Sequence, residues 1–307
     1  MDDKAKSVST NMITTRRRFL RQVATTGSAL LVLRPAALQS ASLPPLSFVI
    51  ITDTHLGKGD SDSPERLWAK TAAEVQSAPG AFVLHLGDIV DGERETQYAK
   101  YLEVRKAITR PVYEIPGNHD KPEDFQKHIR KDIDTFFDHD WLRIVLMNNS
   151  HTNSHEGFFT TEQLAWLARV CNEAASKNLR MLICTHVPLH HNTHPDRGWY
   201  VKPANGQLAF YELLKKHAPR VLALFHGHFH NGLRGWDNHK PVHEVLFPSA
   251  LYNQDRKLEQ QNAPGYNPPE FRPGYTLVSI DNGTLTLRYR VTGADGGVEK
   301  TLPVAQA

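Results

Sequence analysis

The sequence predicts an α/β fold on three observations. From residue 46 onward, short apolar runs rich in β-branched side chains alternate with amphipathic helical segments, the pattern of a sheet covered by helices. Five of these runs end in a polar cluster. The composition over 307 residues, 40% hydrophobic and 22% charged with only two Cys, supplies a sizeable core and excludes a disordered chain or a disulfide-rich module.

The elements follow in chain order. A strand over 46–52 runs into Asp53-Thr54-His55, and a helix over 64–76 separates it from a strand over 81–86 that ends in Gly87-Asp88-Ile89-Val90-Asp91. A helix over 95–109 leads to a strand over 112–115, ending in Pro116-Gly117-Asn118-His119-Asp120. A strand over 142–147 and a helix opening on the Thr-x-x-Gln pattern at Thr160 precede a strand over 180–185 that ends at His186. A helix over 207–217 brings in the strand over 221–225 and then His226-Gly227-His228-Phe229-His230. Segment 253–273, rich in Gln, Asn and Pro, reads as a long loop that either covers the site or lies aside. Strands over 275–280 and 285–291 flank Asp281-Asn282-Gly283, a hairpin signature, and read as closing strands of a second sheet.

Open α/β sheets place their ligand sites beyond the carboxyl ends of the strands. The five clusters are therefore expected to converge on one sheet edge. Their Asp, Asn and His side chains form an oxygen and nitrogen donor set without thiolate, which suits Zn, Mn or Fe and argues against an iron–sulfur or structural Cys-zinc site. In Asp53-Thr54-His55 the alternation at a strand end puts both outer side chains on one side. Gly87, Gly117 and Gly227 permit tight turns and close backbone approach.

The ordered set Asp-x-His, Gly-Asp-x-x-Asp, Gly-Asn-His-Asp, a strand-end His and Gly-His-x-His, spread over residues 46 to about 250, resembles the calcineurin-like metallophosphoesterase superfamily. The resemblance implies a four-layer α/β/β/α sandwich holding two divalent or trivalent metal ions. It implies that Asp53, His55 and His230 hold the first metal, that Asn118, His186 and His228 hold the second, and that Asp88 bridges them. Such a site performs attack on phosphorus by metal-bridging hydroxide. His119, adjacent to the ligand Asn118 but outside the ligand set, is placed to stabilise or protonate the leaving oxygen, and Asp120 to orient His119 through its other ring nitrogen. Length and motif wording look like the bacterial cyclic-nucleotide phosphodiesterase branch, which implies a small or nucleotide-type phosphodiester as the partner. A phosphomonoesterase and a non-catalytic metal-binding module are the alternatives.

Other residues are less decided by pattern. Asp91 is compatible with supporting the site or the turn, and His85 with donating to the site or lying in the core. His190, His191, His194, Arg197, Trp199 and Tyr200 fit either a substrate mouth or a solvated loop, Lys58 could meet a phosphate, and no bond is assigned between Cys171 and Cys184.

The N-terminal stretch carries a different signal. Arg16-Arg17-Arg18-Phe19-Leu20, an apolar run over 23–33 and small residues over 36–42 have the layout of a cleaved export leader resembling the twin-arginine type. The apolar run is too short for a membrane-spanning helix. Residues 1–44 are thus expected to be a leader handled by the twin-arginine machinery, with no stable membrane anchor, and 45–307 one domain whose 251–307 part is the loop and closing strands, acting in the periplasm or outside the cell. The leader holds seven basic and two acidic residues, so the overall +3 becomes about −2 without it, and the nucleic-acid reading that a pI near 8.7 invites loses its support.

Overall fold

Strand β1 (Leu46–Ile51) reads LSFVII, with no polar alternation, because both of its faces are covered. Phe48 and Ile50 face one way, into a core shared with Ile144, Leu182 and Phe225. Val49 and Ile51 face the other, against Trp68, Ala72 and Tyr101. The period-two geometry of a strand turns one apolar run into two interfaces. Burying each such side chain contributes on the order of 1.5–3 kcal/mol.

The structure is a computed structural model describing residues 43–59, 63–92, 95–190, 199–230, 232–235, 242–253 and 268–304. Beside β1 lie β2 (Val83–His85) and β3 (Val112–Glu114) in parallel. A second sheet contains β4 (Thr135–His139), β5 (Leu142–Leu146), β6 (Arg180–Cys184), β7 (Val221–His226), β8 (Arg234–Gly235) and β9 (Glu244–Leu246). The chain returns to the first sheet with β10 (Gly274–Asp281), β11 (Thr284–Val291) and β12 (Gly297–Pro303). The spatial orders are β12-β11-β10-β1-β2-β3 and β4-β5-β6-β7-β9-β8.

Helices α1 (Ser63–Ser77), α2 (Glu95–Arg105) and α3 (Pro122–His128) accompany the first sheet, with Trp68, Tyr98 and Phe125 in its outer core. Helices α4 (Thr161–Ser176) and α5 (Gln207–His217) cover the second, through Leu167, Val170, Phe210 and Leu214. With the two sheets packed face to face between them, the layering is α/β/β/α. The Thr-x-x-Gln pattern forms a capping box, Thr160 Oγ1 accepting from Gln163 N at 3.1 Å and Gln163 Oε1 accepting from Thr160 N at 3.0 Å.

Two expectations need correction. The closing strands belong to the first sheet, because β10 pairs antiparallel with the free edge of β1, Phe48 opposite Val278. Their hairpin does turn on Asn282 and Gly283, with φ of 46° and 73°. The polar clusters also meet from two sheets rather than along one edge, three from the first and two from the second. Strands β4 and β12 were not anticipated, since FDH and VEKT carry the charges and exposed faces that edge strands tolerate. Residues 1–42 of the expected leader and 254–267 of the expected loop lie outside the described residues.

Candidate metal centre

Each sequence-predicted ligand follows the carboxyl end of a parallel strand. Asp53 and His55 follow β1, Asp88 follows β2, Asn118 follows β3, His186 follows β6, and His228 and His230 follow β7. The structure brings together ligating atoms of Asp53, His55, Asp88 and His230 within 4.8 Å of one another, and likewise those of Asp88, His186 and His228. Asp88 belongs to both groups.

Close turns make this convergence possible. A Cβ on Gly117 would lie 2.1 Å from Asp88 Oδ1, one on Gly87 2.6 Å from His186 Nδ1, and one on Gly227 2.1 Å from Thr52 Oγ1. Asp53, His55, Asp88, His228 and His230 have φ between 43° and 74°. Left-handed backbone at non-glycine residues costs on the order of 1 kcal/mol or more and clusters where function demands it.

Partners outside the centre select the ring nitrogen that each histidine turns inward. His55 Nδ1 lies 2.8 Å from Asp91 Oδ1, His186 Nδ1 donates to Leu86 O at 2.7 Å, and His230 Nδ1 donates to Tyr252 O at 2.9 Å. All three present Nε2. His228 is reversed, its Nε2 donating to the carbonyl of His155 at 3.0 Å and its Nδ1 facing inward. Such outer partners fix tautomer and ring orientation at metal sites.

Metal ions fit these residues on three grounds. Nε2 of His55 faces Nε2 of His230 at 3.2 Å, and Nδ1 of His228 faces Nε2 of His186 at 3.2 Å, so ring nitrogens able to ligate a metal converge in pairs. Asn118 Oδ1 is buried with no hydrogen-bond partner among the described residues, which a cation would satisfy. The carboxylates of Asp53 and Asp88 are buried yet stay ionised. Burial raises the Asp53 pKa, but His230 and His186 outweigh it and bring it to about 2; Asp88 is likewise held well below the usual range, with burial opposing and His186 prevailing. His186 rises to about 9, burial opposing and Asp88 winning, whereas burial and the neighbouring His186 drive His228 well down. Buried negative charge of this kind needs a cationic counterpart.

Asp120 is placed differently from expectation. Its carboxylate accepts from the backbone N–H of Gly117 (2.8 Å), Ile89 (3.0 Å) and Val90 (3.2 Å) and from Tyr98 Oη (2.9 Å), tying two ligand-bearing turns together. Burial raises its pKa to about 6, with the charge of Asp88 adding. His119 instead faces Asp91, with Nδ1 3.2 Å from the carbonyl oxygen and 3.5 Å from Oδ1, and its ring packs edge-on to His55 at 4.7 Å. Asp91 therefore supports the site. Against the cost of burial, hydrogen bonds from His55 and Lys58 lower its pKa to about 2. Lys58 is held by Asp91 at 2.9 Å and lies 5.4 Å from the Tyr252 ring centroid, so it is tied beside the cleft rather than lining it.

His85 proves to be a buried neutral residue, its pKa lowered to about 3 by desolvation, bridging Thr54 Oγ1 (3.0 Å) and Gly87 N (3.3 Å). Cys171 and Cys184 are buried free thiols. His190 gives its backbone N–H to Glu244, while His191, His194 and Arg197 lie outside the described residues. Trp199 lines the cleft over the centre together with His119, and so do His155 and Tyr252, which the sequence reading missed. Neither sits in a motif. Only the post-strand position of Tyr252, with Ala250 N donating to Thr52 O at 2.8 Å, hints at proximity.

Comparison with known proteins agrees with this geometry. The calcineurin-like phosphoesterase family matches over residues 46–232. A probable cyclic nucleotide phosphodiesterase of Rhodopseudomonas palustris is 28% identical over 257 residues, covering 77% of this chain and 89% of the relative. The 3',5'-cyclic adenosine monophosphate phosphodiesterase CpdA of Haemophilus influenzae is 26% identical over 221 residues, covering 65% and 76%. Among solved structures, a dimetal phosphatase from Danio rerio superposes with a TM-score of 0.63 at 15% identity, covering 84% of this chain and 99% of the other, which bears on the fold. Strand-end ligands, close glycine turns and these matches together place the chain in the calcineurin-like phosphoesterase family, as a metal-dependent phosphoric ester hydrolase.

Proposed function

We propose that the protein is an exported phosphodiesterase that uses two metal ions on small or nucleotide-type diesters. The observation that carries the diester reading is the cleft lining. Among the described residues it comprises His55, Asp88, Asn118, His119, His155, Trp199, His228, His230 and Tyr252, with no Lys or Arg. A monoester brings two negative charges at neutral pH and a diester one. With no side-chain cation among these described residues to meet a second phosphate charge, the lining favours the singly charged ester. The named phosphodiesterases among the relatives support the same choice.

Asp53, His55 and His230 would hold one ion and Asn118, His186 and His228 the other, with Asp88 between. Bound there, the ions supply Lewis acidity at the phosphoryl group and lower the pKa of water; the N and O donor set is compatible with Mn, Fe or Zn. His119, with Nδ1 engaged by Asp91, keeps Nε2 to deliver a proton to the leaving oxygen. Purified, metal-loaded protein should hydrolyse bis-(p-nitrophenyl) phosphate with at least tenfold higher kcat/KM than p-nitrophenyl phosphate. A preference for the monoester would assign the protein to the phosphomonoesterases, and turnover of neither would favour a binding module.

Export by the twin-arginine route, and action in the periplasm or outside the cell, rest on the Arg16-Arg17 leader. No helix of the described residues is long and apolar enough to cross a membrane.

A further inference from the structure

Beyond the ligand shell, the cleft carries two aromatic walls. Tyr252 stands on the side of the first metal group, its ring centroid 4.4 Å from that of His230 and 6.0 Å from that of His55. On the side of the second group, Trp199 and His155 stack on each other at 4.1 Å with 19° between planes, and both rings lie within 5.6 Å of His228.

That stack is assembled from two separate loops, and several contacts hold it. Gly157 and Val201 form a parallel bridge, Gly157 N donates to Tyr200 O at 3.4 Å, and Phe159 N donates to Asn205 O at 2.9 Å. Glu156 binds both Lys202 and Asn205 across the same seam. A Cβ at Gly157 would meet Val201 Cγ2 at 2.5 Å, so the seam closes only with glycine there. The His155 carbonyl also orients His228. The platform is thus built in advance and registered to the metal ligands, which lowers the cost of binding to it.

Its chemistry restricts the occupant. Two π-surfaces at the mouth suit a planar ring or a cation. A quaternary ammonium is disfavoured beside two metal ions and the imidazoles of His119 and His228. We propose that the Trp199–His155 stack is the subsite for a planar aromatic group carried by the substrate phosphate, making Trp199 the specificity-determining residue. The proposal deepens the phosphodiesterase reading by naming the ester group, and it rests on that reading for its place in catalysis.

Equilibrium binding separates the two. Adenosine 5'-monophosphate and glycerol 3-phosphate share a phosphate and differ in the ring, so titration of each into metal-loaded protein reads the platform whichever ester the enzyme cleaves. The native protein should bind the nucleotide on the order of tenfold more tightly, as single-base stacking on an aromatic side chain allows. Trp199→Ala should erase that ratio and Trp199→Phe should keep most of it. Metal content of each variant reports whether the centre survives; if Trp199→Ala loses its metal, His155→Ala provides the same reading and should narrow the ratio. Equal binding of both ligands by the native protein, or an unchanged ratio in the metal-loaded variants, would overturn the proposal. Glycerophosphocholine outcompeting the nucleotide in a Trp199-dependent way would overturn it in favour of a cation site.

Discussion

The ring of His119 is hydrogen-bonded to a neighbour rather than to a metal ligand, and only its backbone N–H donates to one, Asp88 Oδ1 at 2.9 Å. Its Nδ1 faces Asp91, and Asp91 also accepts from Nδ1 of the ligand His55. Removing the ring should therefore leave the ligand set intact and remove the proton donor. His119→Ala is expected to retain two bound metals by elemental analysis while kcat falls about 10²- to 10⁴-fold, the usual contribution of a positioned acid; full activity would falsify the role. The ligands themselves were legible because residue type, strand end and order along the chain all constrain them together. The role of Asp120 was not legible. Adjacency in sequence suggested a ring partner, but the turn over 88–91 brings the N–H groups of Ile89 and Val90 to its carboxylate, Gly117 N and Tyr98 Oη complete the set, and these satisfy it first.

Among the elements, β9 has a function its length of three residues would not suggest. Its Glu244 is fully buried, accepts from His190 N at 3.1 Å and from Tyr211 Oη, and lies 3.4 Å from His226 Nε2. It thereby fixes the chain at His190, shortly after the ligand His186. Glu244→Ala leaves buried donors unpaired at about 1–3 kcal/mol each, so a loss of about 3 kcal/mol is expected in urea denaturation. Burial raises the Glu244 pKa, but the contacts with His226 and Tyr211 prevail and hold it below its ordinary 4.5. A depressed acid stabilises the fold above its unfolded pKa and loses that contribution as pH falls through the folded value. The native protein should therefore lose stability below about pH 4.5 by a component that Glu244→Gln lacks. Strands with apolar runs and the capped α4 were readable from pattern. Strand β9 was not, because EVL is too short to show a period and its acid reads as surface until α5 covers it.

For the whole chain, charge and layering separate two jobs. Residues 1–44 carry +5 of the formal charge and the remainder about −2, so under the proposed export reading the basicity would serve transport rather than binding. Replacing Arg16 and Arg17 together by Lys should keep the precursor in the cytoplasm, read by fractionation against a periplasmic marker; unaltered export would point to the general secretion route. The sandwich was legible only through the family motif, since periodicity distinguishes strand from helix but not which sheet a late strand joins. That assignment was decided by the open edge of β1. The division of ligands between the sheets, Asp53 to Asn118 from one and His186 to His230 from the other, has a polymer consequence. Ions shared between them would act as a cross-link closing a loop from residue 53 to residue 230, and closing so long a loop would remove much of the freedom of the unfolded chain. With both cysteines unbonded, metal ions held by these ligands would do for the fold what a disulfide does elsewhere: they would fasten the two halves of the sandwich at the place where bonds are broken.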